Sequence, residues 1–146
     1  MNVTDVGRRV ATGALLVLLG FGVVSSAVGA VMGIGLNGAG VPLAYLEGTP
    51  FDSYVIPGVI LGLVVGGTQL VAFVLLLRRR AHALLATAVA GFGMLIWIFV
   101  EMAVIGEFSF LQAIYVAHGI LELVVVVVLL GIVPAIVPPA PHDSIP

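Results

Sequence analysis

A histidine and a glutamate, His118 and Glu122, stand four residues apart in the apolar stretch 108–132, which reads FSFLQAIYVAHGILELVVVVVLLGI. The stretch is long and apolar enough to cross a bilayer as a helix, and the spacing places both side chains on one face of that helix. Ionisable groups at this depth are costly unless they face a partner or a wet cavity. Because a histidine changes charge near neutral pH, the pair could carry acid–base chemistry.

Four other side chains could lie near this pair in the membrane interior: Gln69, Trp97, Glu101 and Tyr115. Tyr115 shares a helix face with His118 and Glu122. Counted at about 1.5 Å per residue from the outer surface, Gln69 and Glu122 both lie about 20 Å deep, whereas Trp97 and Glu101 lie nearer that surface. We therefore predict an inward-facing polar column that contains Glu101, Tyr115, His118, Glu122 and Gln69.

This column has three open interpretations. It could be a structural network that pairs polar side chains across helices, a lining for an apolar-ligand pocket, or a proton-handling site. The ligand-binding candidates are Gln69, Trp97, Tyr115, His118 and Glu122, and the catalytic candidates are Glu101, His118 and Glu122. Gln69 could instead make an interhelical hydrogen bond, and Glu101 could reach the outer headgroup layer. Because two ligands on one helix supply only half of a tetrahedral site, we predict no metal and no cofactor.

The composition requires lipid as the solvent for much of the chain. Of the 146 residues, 62% are hydrophobic and 8% are charged, and the mean hydropathy is +1.32. Soluble domains have about 45–50% apolar and about 25% charged residues. The sequence contains no cysteine, which excludes disulfides, thiolate zinc sites and dithiol redox chemistry. It also has no basic patch with interleaved aromatic residues, so we expect no nucleic acid as a partner.

Four apolar stretches, at about 10–34, 56–77, 83–105 and 108–132, predict an all-α, four-helix transmembrane bundle in one domain, residues 1–133. A signal peptide is the competing interpretation of the first stretch, but its uncharged run exceeds the roughly 7–15 residues of a signal core. Arg8 and Arg9 precede the first helix, and three arginines at 78–80 join the second helix to the third. By the positive-inside rule the N and C termini are then cytoplasmic, with a flexible, proline-rich tail at 134–146.

The acidic segment 37–55 is the longest predicted loop, and the same rule places it outside. Its prolines, glycines and tyrosines are typical of a semi-ordered loop on the membrane surface. The alternative is a lid over the mouth of the bundle.

Glycines recur at intervals of four in the first two helices, at Gly29, Gly33, Gly58, Gly62 and Gly66. Such spacing lets helix backbones approach closely. We expect these faces to contact a larger membrane complex or a second copy of the chain.

The overall plan resembles that of the DoxX-like group of small bacterial four-helix membrane proteins. The shared features are a short arginine-bearing start, an outer loop with proline and tyrosine, and a glycine-rich second helix closed by the arginines at 78–80. The resemblance implies a multi-pass protein of the plasma (inner) membrane. The absence of lysine, with abundant Ala, Gly and Val, is typical of a GC-rich bacterium.

A narrower resemblance concerns the sequence from His118 to Glu122, HGILE, together with Glu101 on a neighbouring helix. This set is similar to the intramembrane His and Glu residues of sterol isomerases of the emopamil-binding type. In that family such residues shuttle a proton on a sterol double bond, which implies an acid–base role for Glu101, His118 and Glu122. The family carries the His–Glu spacing on an earlier helix, whereas this chain carries it on the last.

These observations predict a non-enzymatic, multi-pass membrane protein, surrounded by lipid, that binds an apolar ligand or packs as a small accessory subunit of a larger membrane complex. The alternative is an intramembrane enzyme or a proton-linked carrier for a lipid-like small molecule, using Glu101, His118 and Glu122. The two interpretations differ in whether these side chains converge on a cavity.

Overall fold

The computed structural model describes residues 3–106 and 108–131. Within them lie four helices long and apolar enough to cross a membrane: α1 (Val3–Leu36), α2 (Val55–Leu77), α3 (Ala83–Ile105) and α4 (Phe110–Leu130). No strand occurs in the described part of the chain. The predicted all-α, four-helix bundle is confirmed. The tail expected at 134–146 lies outside the described residues, and the cytoplasmic side of the termini stays a prediction.

The ends of α1 and α4 differ from the sequence-based intervals. α1 begins before the expected start near residue 10 and carries Arg8 and Arg9 as exposed residues. A helix can extend beyond the hydrocarbon, because its backbone hydrogen bonds do not depend on lipid. α4 begins after Ser109, which caps it: the Ser109 hydroxyl accepts from Leu111 N–H at 3.3 Å, and Ser109 N–H donates to Gln112 Oε1 at 2.8 Å.

The four helices form a square, in which α1 and α3 each pack against both α2 and α4. α1 meets α2 through glycines: a Cβ added at Gly33 would lie 2.9 Å from Gly58 Cα. Three further glycines of these faces contact the opposite helix: Gly29, Gly62 and Gly66. The glycines of these two consecutive helices thus face each other in the structure. Contact of the same faces with a partner or a second copy stays a prediction.

α2 changes its winding in the middle. It is α-helical over Val55–Ile60, π-helical over Leu61–Gly66 and α-helical again over Gly67–Leu77. The sequence analysis predicted one regular helix here, because no residue pattern signals a π segment. Such segments are rare and widen the helix locally.

Two apolar clusters fill the interior, one toward each end of the bundle. One contains Leu15, Leu19, Ala72, Leu76, Ala83, Ala90 and Val126, and the other contains Val65, Met94 and Ile98. By position along the helices, buried Ser26, Gln69, His118 and Glu122 lie between these clusters. We call these four residues the polar layer. Exposed Val, Leu, Ile and Phe side chains cover the outside, as contact with lipid requires.

The segment between α1 and α2 is held by Tyr54. The Tyr54 N–H donates to Asn37 Oδ1 at 2.9 Å, and its hydroxyl donates to Pro42 O at 2.8 Å. Burial, followed by the neighbouring Tyr45, raises the pKa of the Tyr54 phenol. A short 3₁₀-helix, Leu43–Leu46, contacts α3 and buries Leu46. The segment is thus pinned to the bundle at several points.

Candidate functional site

Gln69 of α2 and Glu122 of α4 meet in the polar layer. Gln69 Nε2 donates a hydrogen bond to Glu122 Oε2 at 3.0 Å, and both side chains are fully buried. The Gln69 side-chain amide is oriented with its NH2 group toward the Glu122 carboxylate. The opposite orientation would place the amide oxygen against a carboxylate oxygen, and neither atom could donate a hydrogen bond. Because α2 and α4 stand diagonally across the square, the bond spans the bundle interior.

His118 lies one turn before Glu122 and is 5% exposed. Its Nε2 is 3.1 Å from Glu122 Oε1, but the geometry of the ring N–H does not satisfy a hydrogen bond to that oxygen. The contact is therefore an electrostatic pairing between close atoms rather than a directed hydrogen bond. Phe21 of α1 packs against the imidazole with ring centroids 5.3 Å apart, which closes the pair from lipid on that side.

α1 supplies the space for this arrangement. A Cβ added at Gly22 would lie 2.6 Å from both Cδ and Oε1 of Gln69, so a larger residue there would force the amide to move from its present position beside Glu122. Ser26, one turn later, packs against Gly66 of α2. The sequence analysis missed Gly22 and Ser26, because their roles depend on the register of α1 against α2, which no local pattern shows.

Four atoms of the polar layer are buried without a hydrogen-bond partner among the described residues: Ser26 Oγ, Gln69 Oε1, His118 Nε2 and Glu122 Oε1. They come from three different helices. Buried polar atoms are normally paired, since an unpaired one costs about 1–3 kcal/mol. The polar layer thus has unused hydrogen-bonding capacity around Glu122.

Glu101 belongs to a separate cluster. Gln112 Nε2 lies 3.5 Å from Glu101 Oε1, and Glu101 is only partly buried. The structure brings together Gln69, His118 and Glu122, but it leaves Glu101 with Gln112 and Trp97. The predicted column is therefore divided into two parts. A signal for Gln112 was present: a serine followed three residues later by glutamine is typical of a capping box.

Tyr115 and Trp97 are partly buried and pack against the apolar cluster of Val65, Met94 and Ile98. The Tyr115 ring also stacks near Phe21, with centroids 6.1 Å apart. No hydrogen bond links either side chain to the Gln69–Glu122 pair among the described residues. Tyr115 therefore serves as packing next to the polar layer, whereas the Trp97 side chain also hydrogen-bonds to Glu101.

The donor set does not fit a metal ion. In residues 3–106 and 108–131, no group of three His, Asp or Glu side chains is placed to hold one. His118 and Glu122 supply two ligands, and Gln69 fills one carboxylate oxygen with its amide N–H. The arrangement is suited to holding helices together or to exchanging a proton.

Comparison of the chain with protein-family models, with curated proteins and with solved structures finds no match.

Two open grooves lie on the lipid-facing side of the bundle. One, of about 390 Å³, runs along α4 beside Val124. The other, of about 520 Å³, lies between α2 and α3, and its lining comprises Leu63, Val64, Gly67, Thr68, Val71, His82, Leu85, Ala86 and Val89. We call the second one the α2–α3 groove. None of the five predicted ligand-binding residues lines either groove.

Proposed function

We propose that the protein is a non-enzymatic, multi-pass membrane protein that binds an apolar, lipid-like molecule in the α2–α3 groove. The observation that carries this proposal is the groove itself, an open depression of about 520 Å³ between α2 and α3 with a mostly apolar lining. It opens to the bilayer, so a lipid-like molecule can enter it without crossing water.

The lining of the groove favours an apolar occupant. Gly67 projects no side chain into it, and a Cβ added there would meet nothing within 4 Å. The Thr68 hydroxyl already donates to the backbone carbonyls of Val64 and Val65 at 2.9 Å, so its donor is occupied. Away from His82 at one end, the lining therefore offers dispersion contacts and few polar ones.

The polar layer is a poorer candidate for the ligand site. Gln69 and Glu122 are 0% exposed and contact each other, so a ligand could reach them only if the helices moved apart. An acid–base mechanism would have used Glu101, His118 and Glu122 together, but Glu101 lies apart from the other two. We infer that the polar layer fixes the position of α2 against α4, which keeps the α2–α3 groove in shape.

The test is photolabelling of the full chain in nanodiscs with phosphatidylcholine that carries a diazirine in its acyl chain. We expect labels to concentrate on the groove side of α2 and α3, and Gly67→Leu to reduce this labelling several-fold by filling the groove. Gly13→Leu is the matched control, because Gly13 is exposed on α1 and also has open space around it. Labels spread evenly around all four helices, or unchanged in Gly67→Leu, would refute the proposal.

A proton-linked carrier is the second candidate, and the unpaired polar atoms around Glu122 favour it. A side chain that gains or loses a proton there would change the pairing between α2 and α4. Proteoliposomes loaded with a pH-sensitive dye test this idea. A proton flux that Glu122→Gln abolishes and Glu101→Gln retains would support a carrier, whereas no flux in the unmodified protein would exclude proton conduction as its activity.

The proposal includes the orientation of the bundle in the membrane, which follows from its charged residues. Arg8, Arg9 and the arginines at 78–80 lie at one end of the bundle, and Glu47 and Asp52 lie at the other. This asymmetry supports both termini in the cytoplasm of a bacterial plasma membrane. Attachment of a protease-sensitive tag to each terminus would test the orientation in intact cells and spheroplasts.

A further inference from the structure

We propose that the α2–α3 groove selects an anionic phospholipid, with one acyl chain in the groove and the headgroup phosphate at Arg78, Arg80 and His82. This inference rests on the proposed function, since it names the class of lipid that the same groove takes. It adds that the lipid is recognised by charge and not only by its apolar chain.

The charge at this end of the groove is positive. Arg78, Arg79 and Arg80 are exposed consecutive residues, and no ion pair of these side chains occurs within the described residues. Among the described acidic residues, only Asp5 at the start of α1 lies toward the same end. Basic residues next to a membrane helix attract anionic lipid headgroups.

His82 connects the charged turn to the groove. It lines the groove together with Leu85 and Ala86, and it is also the residue that precedes α3. A phosphate beside His82 is therefore continuous with an acyl chain against Leu85. The first turn of α3 receives no side-chain hydrogen bond from His82, so its positive end adds to the attraction.

The turn has a fixed shape. Arg80 N–H donates to Leu75 O at 2.9 Å, and Arg79 N–H donates to Leu76 O at 3.0 Å. Arg79 adopts a left-handed conformation with φ 52°, which turns the chain from α2 into α3. Arg78 and Arg80 therefore project from a backbone that is set before any lipid arrives, and a preorganised site loses less entropy on binding.

The length of the groove matches one leaflet. Leu63 is the groove residue farthest from the arginines, and at about 1.5 Å per residue it lies about 22 Å from Arg78 along α2. Half of a hydrocarbon core is about 15 Å, and the headgroup region adds several ångströms. A phosphate at the turn therefore places its acyl chain along the whole groove.

The test is native mass spectrometry of the full chain in a neutral detergent, with phosphatidylglycerol and phosphatidylcholine of identical acyl chains. We expect one phosphatidylglycerol to bind with about tenfold preference, the scale of one or two basic contacts near a membrane surface. Arg78→Gln with Arg80→Gln should bring the ratio close to one. Arg8→Gln with Arg9→Gln is the matched control, because it removes the same charge at the same end but away from the groove.

The outcomes separate the two proposals. Equal binding of both lipids by the unmodified protein, with labelling still confined to the groove, would overturn the headgroup selectivity alone. An equal loss of preference in both double variants would also overturn it, since surface charge would then explain the effect. Absence of groove labelling would instead refute the apolar site. Circular dichroism of each variant confirms that its helices are retained, and Gly67→Leu, which leaves every charge in place, should also reduce phosphatidylglycerol binding.

Discussion

Two glutamine–glutamate contacts occur among the described residues, and they differ in their depth in the bundle. Gln69 donates to Glu122 at 3.0 Å with both side chains fully buried, whereas Gln112 approaches Glu101 at 3.5 Å with the carboxylate partly exposed. The chemical groups are identical. Glu122 has no water to solvate it if Gln69 leaves, while Glu101 lies near the end of α3, within reach of polar surroundings.

The two contacts also join different helices. The inner one connects α2 to α4 across the diagonal of the square, and the outer one connects α3 to α4, which already pack closely through Gly91 and Gly119. Loss of the outer contact leaves that helix pair in place. Loss of the inner one removes a direct bond between helices that stand diagonally across the square. We therefore expect the same pair of residue types to contribute more to stability at the inner position than at the outer one.

The largest expected difference comes from removing each carboxylate. Glu122→Ala should lower the free energy of unfolding by about 2–4 kcal/mol, because the Gln69 amide and His118 are left without their buried partner. Glu101→Ala should cost about 1 kcal/mol or less, since its contact is long and partly exposed. Reversible unfolding in mixed micelles, followed by circular dichroism, measures both. Equal losses would show that depth does not separate the two contacts.

A smaller loss of stability is expected from substitution of Gly22, the glycine of α1 that lies against the Gln69 side chain. Gly22→Ala should destabilise by about 1–3 kcal/mol, because its Cβ overlaps the amide of Gln69. Gly20→Ala is the control: its Cβ would lie 3.6 Å from Phe73, an ordinary contact. Adding Gln69→Ala to Gly22→Ala should remove the clash, so the second substitution should cost less than it does alone. Strict additivity of the two losses would contradict this account.

The smallest effect is the pairwise coupling itself. A double-mutant cycle on Gln69 and Glu122, with alanine at each position, should give about 0.6 kcal/mol and at most about 1.7 kcal/mol, the range for polar pairs in membrane bundles. The same cycle on Gln112 and Glu101 should give a value near zero. A larger coupling energy for Gln112 and Glu101 than for Gln69 and Glu122 would contradict this account and would indicate that Glu101 makes the more important contact.

The sequence predicted much of this arrangement from depth alone. Counting residues from the outer surface put Gln69 and Glu122 at the same level, and in the structure the two side chains are bonded. The apolar stretches also predicted four helices, because a bilayer of fixed thickness restricts helix length strongly. Both inferences depend only on positions along single helices.

The features that the sequence did not predict depend on which faces of the helices meet. Glu101 and Glu122 share a bundle, but the rotation of α3 against α4 places Glu101 beside Gln112. The glycines of α1 and α2 indicate close packing, yet a glycine pattern does not state whether the opposite helix belongs to the same chain. Gly22 is informative only once Gln69 is known to cross it. The rotation of each helix relative to its neighbours is therefore what could not be predicted from the sequence.

The π segment of α2 bears on where the chain can change in length. A π turn takes in an extra residue, and one residue turns an α-helix by about 100°. Because the π segment winds more residues into each turn, deletion of a single residue between Leu61 and Gly66 would let α2 close as a regular α-helix, with Gln69 keeping its direction relative to Gly58. Leu63 and Val64 are exposed to lipid, so many apolar replacements fit there. Loss of one residue is thus expected to be tolerated within this segment, whereas the same deletion in the regular α-helical part that begins at Gly67 would rotate the residues after it by about 100°.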